Sequence, residues 1–124
     1  MKEEWEDIVI EIYPKIIKHF GKGEKPTPEI RVYKNVYVDL TGDGEAEGED
    51  SPSGRYDREK NTISLYSDYI VTKEDIIKNI IHEYTHYKQP DGVIEWYYDR
   101  GYTYKSNPAE LEAVKAEENW EMFK

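Results

Sequence analysis

Thr72-Lys73-Glu74-Asp75-Ile76-Ile77-Lys78-Asn79-Ile80-Ile81-His82-Glu83-Tyr84-Thr85-His86-Tyr87-Lys88-Gln89 is the stretch from which the rest of the chain can be ordered. Its apolar residues Ile76, Ile77, Ile80, Ile81, Tyr84 and Tyr87 recur at three- and four-residue spacing, the period of an amphipathic helix. Thr72 stands where an N-cap is expected, and Pro90-Asp91-Gly92 ends the run. Inside the helix lies H-E-x-x-H, from His82 to His86. At 3.6 residues per turn the two histidines fall about 40° apart around the axis, one turn above the other. Both imidazoles can therefore reach one metal ion. Glu83, roughly 100° from His82, can reach a water on that ion without binding the ion itself. The cluster adjoins the apolar stripe, so a half-buried site is expected.

Outward from this helix the remaining elements follow by period and punctuation. Trp5, Ile8, Val9, Ile12, Ile16 and Phe20 predict an amphipathic helix over 3–20, kinked at Pro14 and stopped at Gly21. His19 is read as a partner for the dipole at that helix's C-terminus. A Lys/Pro/Gly connector runs from Gly21 to Pro28. From Ile30 the apolar residues fall on even numbers (Ile30, Val32, Val36, Val38, Leu40), which is strand periodicity. An acidic, Gly-rich loop spans 41–54. Arg55-Tyr56-Asp57 and Thr62-Ile63-Ser64-Leu65-Tyr66 flank a polar turn and predict a hairpin. After an aromatic segment from Trp96 to Tyr104, Asn107-Pro108 opens a last helix, with Asn at the N-cap and Pro at the first helical position. Helix, strands, helix, helix is an α+β layout, and 124 residues fit one domain over 1–124.

Composition narrows the function. The formal charge of −10 argues against a phosphate-neutralising nucleic-acid binder. Without cysteine there is no disulfide, Cys-ligated zinc finger, iron–sulfur cluster or thiol nucleophile. No apolar run approaches the roughly 20 residues that span a bilayer, so no membrane partner is expected. The acidic opening Met1-Lys2-Glu3-Glu4-Trp5-Glu6-Asp7 is unlike a signal peptide, so the expected compartment is the cytoplasm. Aliphatic residues are sparse, and 12 Tyr, 3 Trp and 2 Phe must supply much of the core.

Neutral imidazoles at His82 and His86 suit Zn²⁺, and three protein ligands leave a fourth position for water. Zinc lowers the pKa of that water and polarises a carbonyl, while Glu83 serves as the general base. The third ligand is sought in Asn107-Pro108-Ala109-Glu110-Leu111-Glu112-Ala113, where Glu110 and Glu112 are the candidates. Asn107-x-x-Glu110 is also a capping-box pattern, which would turn Glu110 to a purely structural task. The expected activity is zinc-dependent hydrolysis of peptide bonds. The alternative is a non-catalytic metal-binding or protein-interaction module on the same scaffold.

HEYTH followed by Glu110-Leu111-Glu112-Ala113 resembles the gluzincin metallopeptidases, and the short chain resembles their single-domain minigluzincin members. The resemblance covers about residues 54–120. It implies a small zincin-like domain with an N-terminal helix, an antiparallel or mixed sheet, the HExxH helix and a C-terminal glutamate helix. It selects Glu110 as third ligand over the alternative Glu112. The family's supporting aspartate falls at Val114, a departure that leaves the task to another residue such as Glu117. It also implies a sheet edge that pairs with a peptide or protein substrate in extended conformation, assigned by similarity to Thr62–Tyr66. One of Tyr97, Tyr98, Tyr102 and Tyr104 is a candidate hydrogen-bond donor to the developing oxyanion.

The acidic loop fits part of a second template. Asp39, Thr41, Asp43, Glu45, Glu47 and Asp50 stand at positions 1, 3, 5, 7, 9 and 12 of a calcium loop, with Gly44 at position 6. They form a candidate Ca²⁺ site, against which stand Thr at position 3, Asp at position 12 and the helix-breaking Ser51-Pro52-Ser53-Gly54 that follows. The competing reading is a solvated loop between strands.

Overall fold

A computed structural model describes residues 2–33, 53–67, 70 and 72–124. Among these, helix α1 (Lys2–Phe20) precedes strands β1 (Glu29–Tyr33), β2 (Gly54–Asp57) and β3 (Thr62–Tyr66). Helices α2 (Lys73–Lys88), α3 (Val93–Tyr98) and α4 (Pro108–Ala116) follow, and a 3₁₀ helix, Glu117–Phe123, closes the chain. The fold is a small α+β one with a mixed sheet.

Helix α2 is the hub. It packs against β2 and β3 on one side, α1 on another, and α4 with the 3₁₀ helix on a third. All six residues of its apolar stripe are at most 3% exposed. Full burial of an isoleucine is worth about 1.5–3 kcal/mol, so the four isoleucines alone anchor this helix firmly. Its start is fixed by a complete capping box, in which Thr72 accepts from the Asp75 amide and Asp75 accepts from the Thr72 amide. Helix α1 buries Trp5, Val9, Ile12 and Ile16. It runs through Pro14 to Phe20, the extent expected from sequence. Ile10, whose carbonyl loses its helical partner to the proline, is 71% exposed and so lies where water can replace that bond. Gly21 ends the helix at φ +80°, its amide reaching back to the Ile17 carbonyl.

The strand order is β1-β3-β2, with β1 parallel and β2 antiparallel to β3. The hairpin expected from sequence is β2–β3. The edge assignment is corrected: Thr62–Tyr66 lies in the centre of the sheet, where Ile63, Ser64, Leu65 and Tyr66 are all buried, and β2 is an edge among the described strands. Val36, Val38 and Leu40 of the even-numbered pattern lie outside the described residues.

Tyrosine hydroxyls tie the core to the connector between α1 and β1. Tyr13 donates to the Pro28 carbonyl at 2.6 Å, Tyr84 to the Gly21 carbonyl at 2.8 Å, and Tyr87 to the Lys25 carbonyl. The rings of Tyr13, Tyr84, Tyr87 and Tyr56 form a continuous series of contacts with centroids 5.1–6.0 Å apart. The aromatic mass thus does double duty, apolar at the ring and polar at the tip. His19 packs edge-on against Phe20 and Phe123, in the last turn of α1 where the dipole favours a basic residue.

Candidate metal centre

The helical phase of α2 carries the site. His82 and His86 leave the same face one turn apart, with ring centroids separated by 4.8 Å. Opposite them, α4 begins at Asn107, whose side chain caps the Ala109 amide, with Pro108 in the first turn. The Asn107 amide donates to the Thr103 carbonyl at 2.8 Å. Glu110 turns instead toward the histidines, so the capping-box alternative gives way.

His82, His86 and Glu110 bring one ligand atom each within 4.8 Å of one another. Glu110 Oε1 lies 2.5 Å from His86 Nε2 and 3.5 Å from His82 Nε2. It is also a buried oxygen at which no hydrogen bond is properly aimed. The ring protons explain why. His82 Nδ1 sits 2.8 Å from Glu117 Oε2, a carboxylate oxygen that accepts, so Nδ1 donates. His86 Nδ1 sits 2.8 Å from Gln89 Oε1. The Gln89 amide cannot be flipped, because its nitrogen already faces two acceptors, Ala109 O at 2.8 Å and Glu112 Oε1 at 2.9 Å. With Nδ1 donating on both rings, each Nε2 is left facing Glu110 Oε1, and it is a lone-pair donor to a metal whenever the ring is neutral. Either a ring proton or a metal cation can fill the point where the three atoms meet.

The fit can be tested on distance. A tetrahedral metal with bonds of about 2.0–2.1 Å separates its ligand atoms by about 3.3 Å. The His82–Glu110 spacing of 3.5 Å matches, whereas the His86–Glu110 spacing of 2.5 Å must open by about 0.8 Å. With that opening, the three residues could hold a divalent metal ion. The same two-histidine, one-carboxylate set also suits ferrous iron.

Charge points the same way. For His82, burial pulls the pKa down, but Glu110, Glu117 and Glu83 outweigh it and carry the ring up to about 10. His86 is raised as well, burial being overcome by Glu110, Gln89 and Glu83. Burial would raise Glu110, yet the two facing rings bring it down to about 2. The carboxylates around the two rings thus favour positive charge at this point, where His82, His86 and Glu110 could hold a metal ion.

Glu83 is 7% exposed and does not join the three ligand atoms. It lines a cleft of about 250 Å³ together with His82, Asn79, Tyr104, Glu117 and the start of β2 at Ser53 and Gly54. Burial raises its pKa, and His82 and His86 oppose that rise. Glu112 is exposed and is not in the cluster; its carboxylate is the acceptor for Gln89. Val114, where the family resemblance puts an aspartate, is 47% exposed, and Glu117 supports His82 in its place. Among the four candidate tyrosines, Tyr104 lines the cleft, and burial together with Glu110 and Glu83 raises its pKa. Gln89 escapes sequence reading, because a glutamine three residues past H-E-x-x-H is an ordinary helix end until α4 is seen beside it. Asp39, Thr41, Asp43, Glu45, Glu47 and Asp50, the candidate calcium loop, lie outside the described residues.

No family model, curated protein or solved structure matches this chain. What can be said of the site therefore rests on its own geometry. Among the described residues no helix is long and apolar enough to cross a membrane.

Proposed function

We propose that this chain is a zinc-dependent peptidase of the gluzincin type. The observation that carries the proposal is the convergence of His82 Nε2, His86 Nε2 and Glu110 Oε1 beside a buried Glu83 that opens onto a cleft. Zinc held by His82, His86 and Glu110 would supply Lewis acidity and would lower the pKa of a bound water. Glu83 takes a proton from the attacking water on a carboxylate oxygen and passes it to the departing amine nitrogen. Burial, which raises the proton affinity of Glu83, suits both halves of that transfer. Tyr104, kept protonated by its surroundings, can donate to the carbonyl oxygen as negative charge gathers there.

Substrate alignment falls to β2, an edge strand among the described residues. The Tyr66 amide donates to the Ser53 carbonyl, so residues 53, 55 and 57 pair inward with β3. By alternation the main-chain groups of Gly54 and Tyr56 point away from β3, and Gly54 borders the cleft. An extended peptide adding to this edge would pass the centre with its backbone in register.

The test is reconstitution. Chelator-stripped protein should take up one equivalent of zinc and then hydrolyse unfolded protein substrates, and Glu83→Gln should keep the zinc and lose the hydrolysis. Preference for ferrous iron over zinc would move the site to redox chemistry. Zinc uptake with no hydrolysis over many substrates would leave a metal-binding module.

A further inference from the structure

Gln89 is 8% exposed, and the chain is shaped to put it at the metal centre. It precedes Pro90, and a residue before proline is pushed out of the helical region. Gln89 accordingly leaves α2 in an extended conformation, φ −76° and ψ 153°, while its amide still bonds the Thr85 and His86 carbonyls at 3.2 Å. Arg58, from the β2–β3 turn, fixes that exit by donating to the His86 carbonyl at 2.8 Å and the Gln89 carbonyl at 3.3 Å. The side chain then lies between α2 and α4. Its oxygen accepts from His86 Nδ1, and its nitrogen donates to Ala109 O and Glu112 Oε1. Ala109 is the residue before Glu110.

The residue type follows from this position. One acceptor and two donors in one plane are what a carboxamide offers. A glutamate there would face the Ala109 carbonyl and Glu112 with no proton to give, and a lysine would have nothing to accept from His86.

We infer that Gln89 is a positioning residue of the metal centre, whose amide oxygen selects the His86 tautomer and whose amide nitrogen holds the start of α4, so that His86 Nε2 and Glu110 Oε1 face one point. The inference rests on the metal-centre proposal and adds that the two ligand-bearing helices are set by a single side chain. Glu117 does half of this task for His82, since it orients the ring without bridging to a second ligand.

The experiment compares wild type, Gln89→Met and Glu112→Ala for zinc affinity by competition against a chromogenic chelator. Long-range ¹H–¹⁵N spectra of the histidine rings in the zinc-loaded protein accompany it. Gln89→Met keeps length and loses all three hydrogen bonds, so zinc binding should weaken about 10–100-fold, the usual loss when a ligand's supporting partner is removed. The His86 Nδ1–H signal, slow to exchange in wild type, should broaden or vanish while that of His82 persists. A merely structural glutamine would not produce this selective change. Zinc affinity within threefold of wild type in Gln89→Met, or an unchanged His86 signal, would overturn the inference and leave the metal centre standing. Should Gln89→Met not fold, the exposed Glu112→Ala decides. It removes one arm of the clamp and should lower zinc affinity several-fold, and no change there overturns the inference. Failure of wild type itself to bind zinc would instead remove the metal-centre proposal, and this inference with it.

Discussion

Glu110→Ala gives the most direct check on the centre. Among the described residues Glu110 is the one carboxylate grouped with His82 and His86 where a metal ion could be held, so without it two imidazoles remain. A ligand present at 100 times its Kd stabilises the folded state by about 2.7 kcal/mol. For 124 residues the entropy of unfolding is about 0.26 kcal/mol/K, at roughly 2.1 cal/mol/K per residue. Saturating zinc should therefore raise the Tm of wild type by about 10 °C. In Glu110→Ala the rise should all but disappear. The Tm without zinc should move by only a few degrees. A carboxylate in the first turn of α4 is lost, worth about 0.3–1 kcal/mol, while the cost of burying it is relieved. Differential scanning fluorimetry with chelator and with zinc reads both numbers in one series. A zinc shift in Glu110→Ala equal to that of wild type would refute the ligand assignment. A large loss of Tm without zinc would mean that Glu110 is structural.

Glu83→Gln should bind zinc like wild type but hydrolyse peptide about 10²–10⁴-fold more slowly, as followed by release of fluorescent peptide fragments. Arg58→Ala should cost about 2 kcal/mol in urea unfolding, because charge-assisted bonds to the His86 and Gln89 carbonyls at the negative end of α2 are lost. An unchanged urea midpoint would mean that water replaces the guanidinium. Burial, with Tyr87 adding to it, pushes the Tyr84 phenol up to about 12 from an unfolded value near 10. The folded chain thus holds that proton more tightly, so its contribution is complete below pH 10 and is lost as pH rises through 12. Tyr84→Phe should flatten the fall in stability between pH 10 and 12, and an identical slope would show that other groups cause it.

Much of this was legible where a local rule was enough. Thr72 and Pro90 bound α2 by capping and by proline sterics, both of which act within a few residues. The six-residue apolar stripe of that helix is buried throughout, as expected. What resisted reading depends on partners distant in sequence. Period 2 marks Thr62–Tyr66 as a strand but says nothing about its neighbours. Its central place appears only when β1 pairs with it in parallel and β2 in antiparallel fashion. The choice between Glu110 and Glu112 had the same character. They lie about 200° apart on one helix, and which face meets α2 is a matter of packing. The helix over 3–20 was legible as well, its apolar period running across Pro14 to the stop at Gly21.

The energetics of the cluster bear on why it exists. His82, Glu83, His86 and Glu110 sit together at 12% exposure or less, in a domain whose aliphatic core is thin. Buried ionisable groups of this density are costly, and apolar side chains of similar volume would commonly stabilise a fold by 1–4 kcal/mol in their place. Glu117 and Gln89 add supporting hydrogen bonds that orient the rings. Two imidazoles and a carboxylate held at one point from two helices are an arrangement whose cost a bound divalent cation would offset.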